Sequence, residues 1–265
     1  AVLINIQQRI QQASGAFRRG HVRRKRHRHI LTAATKRETS DNVMARAHGL
    51  LPPLALGEKV HADSFEEVAP QARIWRSRMG GDVSSEAQVF ELTLPSGRVV
   101  EGRLPHLDST GMASWIGNAN NAKNWMYWWL EALVVRARDG NAVCFAFGCG
   151  NQHVTMPLAP HMLSSKGAAG LLDALLDIYQ DGQTQPLPLP PRSGWAWVRD
   201  MVTRANPDEA RALGVARKVW ESESADPWIA TALRGVDPLA DPRFTELALE
   251  IYGPLWDALQ AGVRP

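Results

Sequence analysis

Cysteine is scarce: Cys144 and Cys149 are the only two in 265 residues. That excludes a disulfide-stapled scaffold as the source of stability. Both lie in the apolar stretch CFAFGC (144–149), which reads as a strand, and their odd spacing puts them on opposite faces. Buried free thiols in a reducing compartment are expected. No run approaches the roughly 20 apolar residues that would cross a bilayer. No charged stretch followed by an apolar run and a cleavage site opens the chain. A cytoplasmic protein without a membrane partner is therefore expected, and Ala1 in place of Met is what a fragment or processed product would show. Nucleotide-binding P-loops are missing, because Gly148, Gly150, Gly167 and Gly170 do not form one. No GxSxG or HExxH occurs, which removes the corresponding hydrolase classes. There is no internal repeat.

What is present is ordinary globular composition, with 45% hydrophobic and 22% charged residues. Ten tryptophans are many, and they read first as core. The net charge of +3 hides an asymmetry. Residues 1–42 carry ten Lys/Arg against two Asp/Glu, and the remaining residues carry 20 against 25. RRGHVRRKRHRH (18–29) is a self-repelling cationic block, read either as a solvated tail or as a phosphate-seeking one. We divide the chain into a basic leader (1–44) and a folded body (45–265).

Pro52, Pro53 and Gly57 mark a loop before a helix over about 58–78. QVFELTL (88–94) and RVVEGRL (98–104) alternate like strands around the turn Pro95-Ser96-Gly97, giving a hairpin. GMASWIG (111–117) is a third strand. A helix over 122–138 carries Trp125, Trp129, Ala132 and Leu133 on one face, and Gly140 is suited to a left-handed cap. AVCFAF (142–147) is a buried strand. A helix capped by Ser164 or Ser165 runs to Gln180, with Asp181-Gly182 as its stop. PLPLPP (186–191) reads as an extended strap. Helices follow at about 193–204, 208–221, 227–234 and 242–261. Asn206-Pro207 and Asp241-Pro242 place Pro behind capping residues.

Four stretches resemble the C-terminal domains of the RecC family. They are LLPPLALGE (50–58), WLEALV (129–134), PLAP (157–160) on through PLPLPPRSGWAW (186–197), and ADPWIATALRGVDPL (225–239) with FTELALEIYGPL (244–255). The first looks like the family's Leu-Pro-x-Gly-x-x-Gly entry motif, with Leu51, Pro52 and Gly57 in place and Glu58 after them. The resemblance covers about residues 45–262. It implies an α/β fold: a restriction-endonuclease-like PD-(D/E)xK core, with a central mixed sheet flanked by helices and a helical C-terminal extension.

Nuclease chemistry on that fold needs carboxylates for a divalent metal and a Lys nearby. The residues two positions before Lys25, Lys36, Lys59, Lys123, Lys166 and Lys218 are Arg23, Ala34, Gly57, Asn121, Ser164 and Ala216. The (D/E)-x-K triplet is therefore absent. By the resemblance, Pro105 stands where active relatives have the first Asp, and Ser114 and Ile116 stand in the Asp-x-Lys slot. Asn124 and Trp128 are nearest to the Gln-x-x-x-Tyr of active relatives. Glu91, Glu101 and Asp108, with His106, remain near the hairpin, where Glu91 and Glu101 can face each other across it.

No catalytic residue, metal site or cofactor of its own is thus expected. The resemblance implies a noncatalytic subunit domain that docks to RecB-like and RecD-like subunits, which use ATP and Mg²⁺. It also implies handling of double-stranded DNA ends and separated strands. Candidate DNA contacts are Arg73, Arg76, Arg78, Arg98 and Arg103. The aromatic surplus Trp125, Tyr127, Trp128 and Trp129 is expected to turn some rings toward a partner or a base stack. Two alternatives stay open: an active nuclease using displaced carboxylates, and a basic RNA-binding protein acting through residues 18–29.

Overall fold

The computed structural model describes residues 49–79, 87–104, 107–108, 111–118, 122–149 and 154–261. The basic run 18–29, and with it the whole of the leader 1–44, lies outside the described residues. The chain is mixed α/β, with helices and two small sheets. It divides into two compact units, one from residues 1–119 and 141–157, the other from 120–140 and 158–265.

In the first unit, helix α1 spans Leu54–Met79 and passes through Pro70. It starts four residues before its expected start, at Leu54, which has a φ of 59°. Gly57 is required just inside it, because a Cβ there would strike the Pro52 carbonyl. Leu50 and Leu51 are buried, with Val60 packed against them. Strands β1 (Gln88–Thr93) and β2 (Val99–Leu104) form the expected hairpin. Its turn closes through Gly97 N–H to the Leu94 carbonyl (2.9 Å) and Leu94 N–H to the Arg98 carbonyl (2.8 Å). Gly97 takes φ 83°, the left-handed value that favours glycine. Phe90 lies over Gly102, where an added Cβ would come within 2.8 Å of its ring.

The expected single sheet is two. The hairpin stands as a two-stranded sheet, and β3 (Leu107–Asp108), β4 (Gly111–Asn118), β5 (Val143–Cys149) and β6 (Val154–Leu158) form another in that order. A physical reason is visible at the head of β4: Leu107 and Asp108 pair there with Met112 and Gly111 and take the edge. β3 is too short for period-two patterning to reveal. Strand β4 runs parallel to β5, with the helix α2 (Ala122–Arg138) between them in the chain. Gly111 has φ 145°, and a Cβ there would strike the Val143 carbonyl. Met112, Ala113, Ser114 and Ile116 are all buried, as are Cys144, Phe145 and Ala146 of β5, the continuous burial of a parallel strand pair. Helix α1 packs against β5.

The second unit is helical. Helix α2 buries Trp125, Trp128 and Trp129 alike, at 5%, 2% and 1% exposure. Of the four rings of which some were expected to turn outward, the three tryptophans are buried and Tyr127 is half-buried. Gly140 is not left-handed. Its smallness serves a close approach instead, since a Cβ would meet Ser165 Oγ at 2.5 Å. Helix α3 (Ser165–Thr184) is capped by Ser164 and runs through the expected stop, ending at Thr184. Asp181-Gly182 stay helical, and a Cβ at Gly182 would come within 3.2 Å of Leu187. Then come α4 (Pro191–Thr203), α5 (Glu209–Glu223), α6 (Pro227–Leu233) and α7 (Arg243–Ala261). Asp208, not Asn206, caps α5, through its acceptance from Arg211 N–H.

Candidate functional site

Ser114 and Ile116 sit in a buried, apolar stretch of β4. Ser114 pairs with Ala146 of β5, which is fully buried. Between Trp115 and Gly117 the register slips, and Ile116 is the extra residue of a β-bulge, itself 4% exposed. Bulges re-aim side chains and recur beside active sites. Here the re-aimed residue is apolar and packed, so it offers neither charge nor ligand. Ser114 is 7% exposed and holds a partner within the protein. Asn124 and Trp128, one turn apart on α2, are both buried, at 6% and 2%. Pro105 and His106 lie outside the described residues.

Glu91 and Glu101 are brought directly opposite each other across the hairpin. Glu91 is exposed and Glu101 half-buried. Opposed like charges destabilise a hairpin by a few tenths to about 1 kcal/mol. Asp108 is in β3, and its side chain is not among those described. Among the described residues, no three His, Cys, Asp or Glu side chains gather into a metal site.

The candidate DNA-contacting arginines are not all brought together. Arg73 is exposed on α1. Arg76 and Arg78 are on its last turns, with side chains outside the described set. Arg98 opens β2 from the turn, its Nε donating to Ser96 Oγ at 2.9 Å. Arg103 lies five residues on, roughly 17 Å along an extended strand, exposed and on the Glu91–Glu101 face by alternation. The hairpin therefore separates Arg98 from Arg103.

The most strongly organised polar chemistry is in the helical unit, where sequence reasoning did not look. Helix α4 opens on Pro190-Pro191, so it has no capping side chain of its own. Glu223, at the end of α5 and 2% exposed, supplies the missing acceptor. Its carboxylate takes Arg192 N–H (2.8 Å), Ser193 N–H (2.8 Å) and Ser193 Oγ–H (2.7 Å). Tyr252 donates to the Pro191 carbonyl at 3.2 Å. Burial, and then the Glu223 charge, push the Tyr252 phenol above its ordinary value. At the other end of α4, Asp200 accepts Nε of both Arg204 and Arg211 at 2.9 Å. Hydrogen bonds from Arg211 and then Arg204 hold that carboxyl below its ordinary range. Arg136, fully buried, donates to the carbonyls of Leu163 and Gly140.

SGWAW (193–197) acts as a packing device. Gly194 admits Leu189 and Tyr252, whose atoms would lie 2.6 and 3.1 Å from a Cβ. Trp195 stacks on Trp256 (4.8 Å) and meets Tyr252 edge-on (5.6 Å). Trp197 meets Phe244. The sequence signals the need for an acceptor but not which residue supplies it: a helix beginning Pro-Pro leaves the N–H groups of its second and third residues without a local acceptor.

Comparison with known proteins gives one family. The model of the RecC C-terminal domain matches residues 15–201. That span takes in the cationic run and stops before α5. The chain is also 28% identical over 174 residues to the RecBCD enzyme subunit RecC of Escherichia coli (strain K12). This alignment covers 64% of the chain but 15% of the relative.

Proposed function

Because the chain belongs to the RecC C-terminal domain family, we propose that it is a noncatalytic subunit domain of a RecBCD-type helicase–nuclease. Its work is docking to a RecB-like chain and guiding DNA during double-strand-break repair. RecD-like subunits complete the assembly, and the ATP and Mg²⁺ chemistry belongs to the partners. We read α1, the hairpin and the β4–α2–β5 passage as a PD-(D/E)xK-like core stripped of its chemistry.

One observation carries this reading: Ser114 and Ile116, in the slot where active relatives hold an acid and an amine, are buried among apolar residues. Filling that slot with packing keeps the scaffold and removes the reaction. Arg73 and Arg103, both exposed, are suited to backbone contacts that ignore base sequence; Arg76, Arg78 and Arg98 are proposed beside them. The test has two parts. The chain should co-purify in equal amounts with the RecB-like protein of its own cell. Purified alone with Mg²⁺ and linear duplex DNA, it should leave the DNA intact.

The directly opposed Glu91 and Glu101 favour a second reading, a nuclease with displaced carboxylates. Mg²⁺-dependent cleavage that disappears in Glu91→Gln would establish it and sink the first. The third reading, an RNA-binding protein working through residues 18–29, predicts that deleting 1–42 abolishes nucleic-acid affinity.

A further inference from the structure

Helices α4 and α5 pack side by side within the helical unit. Two contacts fix which edges meet. Arg192 NH2 reaches Ser222 Oγ (3.4 Å) at one end, and Arg211 reaches Asp200 (2.9 Å) at the other. At about 100° per residue, Arg199 falls on the same stripe of α4 as Arg192. By the same rotation Lys218 falls on the stripe of α5 that holds Arg211 and Ser222. Arg192, Arg199 and Lys218 are exposed, and none pairs with a carboxylate among the described residues. Arg204 and Arg211 add two guanidiniums that share Asp200.

The carboxylates nearby are already engaged. Asp200 holds two arginines, Asp208 caps α5, and Glu223 is buried under three donors. Glu221 lies about 60° round α5 from Lys218, on the side away from α4. Five cations, Arg192, Arg199, Arg204, Arg211 and Lys218, stand against three carboxylates, Asp200, Asp208 and Glu223, so the seam carries a net positive charge over about 18 Å, the length of twelve helical residues.

From this we infer that the α4–α5 seam is a binding surface for the phosphate backbone of a nucleic-acid duplex. The inference rests on the DNA-guiding part of the proposed function and gives it a location outside the elements read as the nuclease-like core. What the seam lacks selects the partner. A protein-docking surface has an apolar core with aromatic anchors, and single strands need rings on which bases stack. No aromatic ring lies on these stripes: Trp195, Ala196 and Trp197 of α4 are buried, half-buried Trp220 of α5 falls about 160° round the helix from Lys218, and the apolar side chain on the α5 stripe, Val215, is half-buried. The exposed apolar side chains of this unit, Tyr179, Trp228, Val236 and Leu249, belong to other elements. Cations without an apolar centre suit phosphates, which need charge and no shape.

The test uses the whole chain, a labelled linear duplex and a single strand of the same sequence, across 50–200 mM salt. In the double variant Arg199→Ala/Lys218→Ala, the log–log salt dependence of duplex affinity should become shallower by about 1.8, or 0.9 for each phosphate no longer neutralised. The fall in affinity across that salt range then shrinks by about tenfold. Arg217→Ala, which removes a cation turned away from the seam and paired with Asp237, should leave the slope alone. An equal effect from Arg217→Ala would mean that only net charge matters and would overturn the assignment. So would an effect confined to the single strand, or unchanged duplex binding with weakened affinity for polyglutamate. An unchanged slope in a chain that still binds duplex sinks the seam alone. A chain with no duplex affinity sinks the DNA-guiding reading with it.

Discussion

Replacing Glu223 should cost more than any other single polar change in the helical unit. The first free N–H groups of α4 belong to Arg192 and Ser193, because Pro191 has none. Both donate to the Glu223 carboxylate at 2.8 Å, and the Ser193 hydroxyl, on a fully buried residue, adds a third donor at 2.7 Å. Glu223→Ala strips the acceptor and leaves three donors facing a small void. Each unsatisfied buried donor costs about 1–3 kcal/mol, and partial entry of water recovers some of it. A net loss of about 3–5 kcal/mol follows, as for breaking a buried charged pair. For a chain of this size that lowers Tm by on the order of 10 °C. Glu223→Gln keeps one acceptor but turns an NH2 toward donors, and should cost about half as much. Ser193→Ala removes one bond and should cost about 1 kcal/mol. Urea unfolding followed by tryptophan fluorescence reads these directly, since Trp195 and Trp197 stand on the capped helix. The midpoint should fall with the slope unchanged. The Glu223 and Ser193 losses should be non-additive. A Glu223→Ala protein within about 0.5 kcal/mol of the parent would refute the assignment of Glu223 as the cap of α4.

Three smaller tests address other parts of the structure. Asp200 titrates below its ordinary range, so its arginine contacts stabilise the fold above the unfolded carboxyl value near 4 and are lost as pH falls through the lower folded value. The melting difference between parent and Asp200→Asn should therefore be full at pH 7 and shrink below pH 4; a constant difference would contradict the linkage. Gly111→Ala forces a Cβ into the Val143 carbonyl at φ 145° and should cost more than about 4 kcal/mol; near-parent urea stability would show that β4 and β5 do not meet as described. Glu91→Lys turns an opposed like-charged pair into an attractive one and should raise stability by a few tenths to about 1 kcal/mol, less at high salt.

Where one rule decided an element, the sequence was readable. Period-two alternation around Pro95-Ser96-Gly97 gave the hairpin, and Ser164 gave the start of α3. It was not readable where tertiary contact outweighed a local signal. Gly182 looks like a helix stop, yet α3 continues through it to Thr184, with Leu187 lying against it. Gly140 looks like a left-handed cap, yet it is small because Ser165 approaches. Trp125, Tyr127, Trp128 and Trp129 cannot all share one face of a helix, which pointed to an outward ring; the three tryptophans, at i, i+3 and i+4, fall within one arc of about 100° and are buried together, while Tyr127, outside that arc, is half-buried. The division into two sheets turned on β3, two residues long. The arrangement of Glu223, Ser193 and Tyr252 joins residues 30 or more positions apart, beyond the reach of any local pattern.

Several of the residues that make the chain resemble its family are explained by packing, although Leu54, Leu56, Trp228, Val236 and Leu249 in the same stretches are exposed. Gly57 gives way to the Pro52 carbonyl, Gly194 to Leu189 and Tyr252, and Trp195 builds a ring cluster. Such residues recur because one backbone needs them, whatever reaction the backbone supports. The resemblance therefore speaks for the scaffold and says little about chemistry, which has to be judged at Ser114 and Ile116. There, a bulge that elsewhere could aim a ligand aims a buried isoleucine. If 114 and 116 are the slot proposed above, placing an acid at 114 and an amine at 116 would put two ionisable groups among Ala146, Cys144 and Met112, each fully buried. Unpaired, each would cost several kcal/mol, so two point changes are expected to unfold β4 before they recreate a nuclease.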